Sequence, residues 1–172
     1  FNAEYEDESY ISQFLASMTY RKAGYPCFET EFARLYLNGE YLGLYLRVEN
    51  MDEQFLERNS LVPIGNLYKA TVDDACLSVY DNIDSLWEKK SNENLPWDDL
   101  YALRDSLFLV KDEDYYMFAK RTFDYEKMVK AIALNMLLAN GSTYYHNYYM
   151  YHDLQNDKWI YLPWDMYKTF FK

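Results

Sequence analysis

The chain of 172 residues is poor in the residues that punctuate or staple a small protein: two cysteines, two histidines, four prolines and five glycines. Cys27 and Cys76 are too few for a disulfide framework and too far apart for a CxxC metal site. Both read as small core residues. His146 and His152 match no zinc-ligand spacing. Basic residues are also in short supply, 17 Lys and Arg against 28 Asp and Glu, giving a net charge of −11 and a pI near 4.6. That balance excludes a nucleic-acid binder, which needs a concentrated basic face. A nucleotide arriving with Mg²⁺ remains compatible, because the metal offsets charge locally. No apolar run approaches the ~20 residues of a membrane-spanning helix. No basic-then-apolar leader, internal repeat or low-complexity tract is visible.

What the chain does hold is apolar mass. Half of the residues are hydrophobic and 20 are tyrosine. A chain of this length and composition is expected to bury one core as one domain.

The clearest local signal lies at residues 28–48. Leu35 and Leu37 alternate with polar or aromatic residues, Asn38-Gly39 follows, and Leu42, Leu44, Leu46 and Val48 alternate in turn. Alternation on both sides of Asn-Gly predicts a β-hairpin, since both turn residues must accept positive φ. Upstream, Ile11, Phe14, Leu15 and Met18 predict a helix that Asp7 caps and that ends before Gly24. Downstream, the pattern predicts a short helix over 52–58, a strand over 66–70, and helices over 83–89 and 97–107. Residues 125–139 predict a helix apolar nearly all round, with Val129, Ile132, Ala133 and Met136 as one stripe; such a helix is expected at the buried centre. Strands over 146–152 and 158–162 close the chain, turning at 155–157. The class is α+β: a β-hairpin, helices around a central buried helix, and a C-terminal hairpin.

Three segments carry polar residues in apolar settings: Lys69 on a strand, Asn147 in a loop after the long helix, and Asp165 at the end of an aromatic strand. Lysine, amide and carboxylate together suit phosphoryl transfer, the lysine meeting phosphates and the oxygens holding a hard cation. Each also has a plain structural reading: Lys69 as an edge-strand lysine, Asn147 as a turn residue, Asp165 as a cap. Asn140-Gly141-Ser142 fits the glycosylation pattern, a match frequent by chance. The tyrosines 144, 145, 148, 149 and 151 form either a stacking surface or half-buried packing.

The run LNGEYLGLYLRVE (37–49) resembles the signature hairpin of the CotH kinase family, the spore-coat-protein-H-like atypical protein kinases. The likeness continues in MDEQFLER (51–58), GNLYKA (65–70), HNYYMY (146–151) and KWIYLPWD (158–165), in family order. It implies an atypical protein-kinase-like fold, with ATP and Mg²⁺ or Mn²⁺ as cofactors, a protein substrate modified on hydroxyl side chains, and an extracellular, cell-surface or spore-surface setting. By motif, Lys69 would contact phosphate, Glu49 would orient it, and Asn147 and Asp165 would hold metal. Segments that the family has before the first helix and after the Trp-Asp motif are missing from these residues, so the match is to a partial domain. Two departures stand out. Ser142 occupies the position, five residues before Asn147, where the family has its catalytic aspartate, and in WDMYKTFF (164–171) Tyr167 and Phe171 replace an aspartate and a glycine. The second expectation is therefore an inactive pseudokinase, acting as a surface interaction or assembly module.

Overall fold

In the computed structural model, which describes residues 1–72, 75–78, 80, 82–143 and 145–170, strands β1 (Thr30–Leu37) and β2 (Glu40–Val48) meet at Asn38 and Gly39. Their φ angles of 51° and 89° are the left-handed pair that a two-residue hairpin turn requires. The antiparallel register runs from Thr30 opposite Val48 to Leu37 opposite Glu40, with an irregularity at Leu35/Tyr36. This hairpin is a sheet of its own.

Helix α1 (Ser12–Lys22) precedes it. Asp7 reaches past the helix start: one carboxylate oxygen accepts from the Ser9 N–H and hydroxyl, the other from the Ser12 N–H at 2.8 Å. These bonds hold the Asp7 carboxyl below its ordinary value against the opposing effect of burial. Helix α2 (Glu53–Arg58) is capped by Asp52, whose carboxylate accepts from the N–H groups of Gln54 and Phe55.

The second sheet is the frame of the molecule. β3 (Asn66–Ala70), β4 (Trp87–Lys89), β5 (Tyr148–Asp153) and β6 (Lys158–Pro163) are ordered β4-β3-β5-β6, every pair antiparallel. All six residues of β5 are buried, so the usual apolar–polar alternation is missing there. Both faces of the sheet are covered. Leu67, Tyr149, Tyr151, Ile160 and Leu162 face a core shared with Tyr20 and Phe55, whereas Tyr68, Met150 and Trp159 face a second core with Trp87, Leu100 and Phe118. Helices α3 (Ile83–Leu86), α4 (Asp98–Leu109) and α5 (Tyr115–Thr122) flank this second core. Gly65 marks the tightest approach: a Cβ there would lie 2.4 Å from the Tyr151 ring and 2.5 Å from the His152 carbonyl.

Four expectations change. The helix over 83–89 is a single turn, because from Trp87 the chain alternates inward and outward and pairs with β3. Helix α5 was not anticipated; only Phe118 of it is buried, too little apolar periodicity to be seen. Cys76 is exposed, while Cys27 is buried as expected, and no disulfide joins them.

The fourth concerns helix α6 (Tyr125–Leu137), which is not a buried centre. It buries Ala131, Leu134 and Asn135, with Leu138 just beyond, against the α1 side of the sheet. Val129 and Ile132 are exposed, and Met136 and Leu137 retain 71% and 74% of their surface. Where every stripe of a helix is apolar, periodicity cannot say which one packs. The buried stripe is marked by its polar member, since Asn135 is the residue with specific partners: its Oδ1 accepts from the Tyr20 hydroxyl at 2.7 Å and from the Asn140 amide at 3.2 Å.

Candidate functional site

The β5–β6 ladder ends at Tyr148 opposite Pro163. One step further the Trp164 N–H donates to the Asn147 carbonyl at 3.1 Å, so the two strand ends stay paired as they leave the sheet. Asn147 and Asp165 there have φ of 59° and 48°, left-handed values that Asn and Asp tolerate better than most residues. Conformations of this kind persist where surrounding structure over-determines them. The surroundings here do so. Beyond the turn Met166–Lys168, the Phe170 N–H donates to the Leu138 carbonyl at 2.7 Å and the Thr169 hydroxyl to the Met166 carbonyl at 2.9 Å.

Lys69 enters from β3, on the same sheet face as Leu67. It lies opposite Tyr149 on one side and Glu88 on the other. Its ammonium sits 5.9 Å from the Trp164 ring centroid. Trp164 is itself held edge-on by Phe28 and Tyr149, at 5.0 and 5.6 Å. Lys69 and Asp165 thus lie within electrostatic reach at one end of the sheet, with Trp164 between the Lys69 ammonium and the backbone of Asn147.

The Asp165 carboxyl is raised above its ordinary value. Burial is the main cause and Glu6 adds to it, while His146 and Lys69 pull in the opposite direction. Asp165 caps no backbone N–H of the turn that follows it. Its carboxylate therefore does not serve the cap expected of it on structural grounds alone. The Asn147 Nδ2 is buried without a partner among the described residues. The Asp165 carboxylate and the side-chain oxygen of Asn147 are hard donors of the kind that suits Mg²⁺ or Mn²⁺ and not a nitrogen- or sulfur-preferring ion, whereas the unpartnered Asn147 Nδ2 is an N–H donor that a cation cannot use.

A cleft of about 320 Å³ opens on Asp165 and Trp164, walled by Asn2 and Gln13 on one side and Glu49 and Asn50 on the other. A larger depression of about 770 Å³ lies at the far end of β5–β6, beside Asp124, Asp153 and Lys158. Its polar groups are committed to structure: Asp124 caps α6, Asp153 holds the N–H groups of Gln155 and Asn156, and Lys158 donates to the Lys120 carbonyl.

Other expected site residues sit differently. Glu49 borders the cleft, but its carboxylate takes the Arg58 guanidinium, with Nε at 2.8 Å, and the Glu29 N–H at 2.8 Å. Among the described residues it makes no ion pair with Lys69. Ser142 is fully buried, its hydroxyl directed to Asn140 Oδ1 at 3.4 Å. Asn140 is buried as well, which closes it to glycosylation. Tyr167 is half-buried on the turn after Asp165; Phe171 and Tyr144 lie outside the described residues. Tyr148, Tyr149 and Tyr151 are core residues, not a stacking surface.

Motif reading missed Glu4. It is 3% exposed, and its side chain accepts from the Gln13 amide at 3.0 Å through Oε1. Burial, then Asp7 and Asp165, push its carboxyl up to about 7. No local signal could have revealed it, since the acidic opening reads equally well as complement to a helix start.

Fold and site together define an α+β protein with a lysine, an amide and a carboxylate at the ends of three neighbouring strands. The chain belongs to the CotH kinase protein family, which it matches over residues 1–171. It is 28% identical over 175 residues to inner spore coat protein H of Bacillus subtilis (strain 168), an alignment covering 95% of this chain and 47% of that protein. The chain thus spans about half the length of that relative.

Proposed function

We propose that this chain forms the nucleotide- and metal-binding part of an atypical protein kinase acting at a spore surface. The observation that carries the reading is the paired exit of Asn147 and Asp165 from β5 and β6, with Lys69 beside them across Trp164. In protein kinases a strand lysine meets the phosphates of ATP, while a catalytic-loop asparagine and a strand-end aspartate hold the metal. Lys69, Asn147 and Asp165 would take those roles. Mg²⁺ or Mn²⁺, when bound, would neutralise charge on the transferring phosphoryl group. Lys69 would add a fixed positive charge in a molecule whose net charge is −11. The relative's name, inner spore coat protein H, supports the setting. A protein hydroxyl is the acceptor that family membership supports.

A second reading has its own observation. Ser142 is fully buried and carries no carboxylate, so the position of a proton-accepting base is vacant. On this reading the chain binds nucleotide and metal as a pseudokinase in an interaction or assembly module.

Incubation with γ-labelled ATP and Mn²⁺ separates the two. The kinase reading expects label on the protein or on an added protein acceptor, lost at least 100-fold in Asp165→Asn. Nucleotide binding with no label above that of Asp165→Asn would replace it with the second reading.

A further inference from the structure

The segment before α1 is built into the fold. The Asn2 N–H donates to the Leu46 carbonyl at 2.8 Å and the Leu46 N–H to the Asn2 carbonyl at 2.9 Å, adding one bridge to the edge of β2. The Glu4 N–H donates to Asn2 Oδ1 at 3.1 Å, and the Asp7 N–H to the Glu4 carbonyl at 3.0 Å. With φ of 51° at Glu4, this turn drives the side chain inward. Its Oε1 is taken by Gln13, a residue that walls the Asp165 cleft. Its Oε2 is buried and has no partner among the described residues.

A buried carboxylate with one oxygen unused is costly unless something pairs with it. Among the described residues no lysine or arginine forms an ion pair with Glu4. Hydrogen bonding to Gln13 does not explain the acid, because a glutamine at position 4 could supply the same acceptor. Asn2 and Gln13, the two residues that hold Glu4, both wall the cleft that opens on Asp165, and the charge of Asp165 opposes ionisation of Glu4. A cation between them would remove that opposition.

We propose that Glu4 is a second carboxylate ligand of the divalent cation held by Asp165, with Oε2 as the donor. The inference rests on the nucleotide–metal reading above and extends it to a residue outside the motifs. Among the described residues no three His, Cys, Asp or Glu side chains form a ready-made cage. Two carboxylates completed by an amide oxygen, waters and nucleotide phosphates is the usual arrangement for Mg²⁺ and does not need such a cage.

The test is Mn²⁺ binding followed by electron paramagnetic resonance, with Mn²⁺ alone and with Mn²⁺ plus a non-hydrolysable ATP analogue. It compares the native protein, Glu4→Gln and Asp165→Asn. Mn²⁺ affinity should fall at least tenfold in Glu4→Gln, while its thermal midpoint without metal equals or exceeds the native value. Glu4→Ala, read the same way, covers an unstable glutamine variant. Native affinity in both Glu4 variants, with affinity lost in Asp165→Asn, would overturn the role of Glu4 and leave the metal site standing. No Mn²⁺ binding by the native protein in either condition would overturn both.

Discussion

The Ser142 hydroxyl lies at the end of a buried chain of polar groups that runs through Asn140 and Asn135 to Tyr20, joining the loop before β5 to α6 and α1. Such a network is stable only while each member keeps its partner. An aspartate at this position would bury a charge with no cation beside it. Ser142→Asp should therefore cost about 3 kcal/mol or more, by the mechanism of an unpaired buried charge. For a chain of this size that lowers the thermal midpoint by about 6–12 °C. Differential scanning calorimetry checks this, and an unchanged midpoint would mean that position 142 opens to solvent. The strand and strand-end placement of Lys69, Asn147 and Asp165 was legible in the sequence because each sits in a short motif beside a strand. The partners of Glu49 and the burial of Glu4 and Ser142 were not, because Arg58, Gln13 and Asn140 meet them only through the tertiary fold.

Among the elements, legibility followed the strength of the local signal. Asn38-Gly39 fixed the first hairpin to the residue, since few other pairs accept two positive φ values. Asp52 marked the start of α2 as its cap, whereas the α6 cap, Asp124, emerges only in the structure. β4 was hidden because three residues give no measurable alternation, and its strand character comes from pairing Tyr68 with Lys89 and Ala70 with Trp87. The burial of α6 was misjudged for a different reason: its hydrophobicity is real, but the structure places Val129, Ile132, Met136 and Leu137 outward. Exposed apolar surface of this kind is a feature of contact faces. The Asp165 turn is a junction of elements, tied to α6 through Leu138 and to α1 through Thr169 and Ser12.

Across the molecule, the end of the sheet opposite the candidate site is locked by one histidine. His152 lies flat on Trp159, with ring centroids 4.3 Å apart, and its ring nitrogens meet Asp99 at 2.8 Å and Asp157 at 3.1 Å. Asp99, at the start of α4, also accepts from the Asn66 amide and the Tyr68 hydroxyl. Nearby, Lys89 of β4 feels the charges of Asp99 and Asp98, and both carboxylates act on Tyr68. Burial alone would lower the His152 value, but the two carboxylates outweigh it and raise it above 6.5. Burial likewise opposes the hydrogen bonds that bring Asp99 down to about 2. The sign follows. The His152 contribution is complete below pH 6.5 and is lost as pH rises through its raised value, whereas that of Asp99 is complete above pH 3.8 and is lost toward pH 2. Glu4 titrates in the same upper window, so the comparison must be with a variant. His152→Gln should lower the thermal midpoint at pH 5 more than at pH 9. An equal loss at both values would show that His152 is neutral in the folded protein.

The central claim is that Lys69, Asn147 and Asp165 receive a nucleotide with its metal. Calorimetric titration of the native protein and Lys69→Ala with ATP, in the presence and absence of Mn²⁺, tests it most directly. The account predicts saturable binding that needs Mn²⁺ and weakens at least tenfold in Lys69→Ala. Absence of binding by the native protein, or equal affinity in the variant, would contradict it.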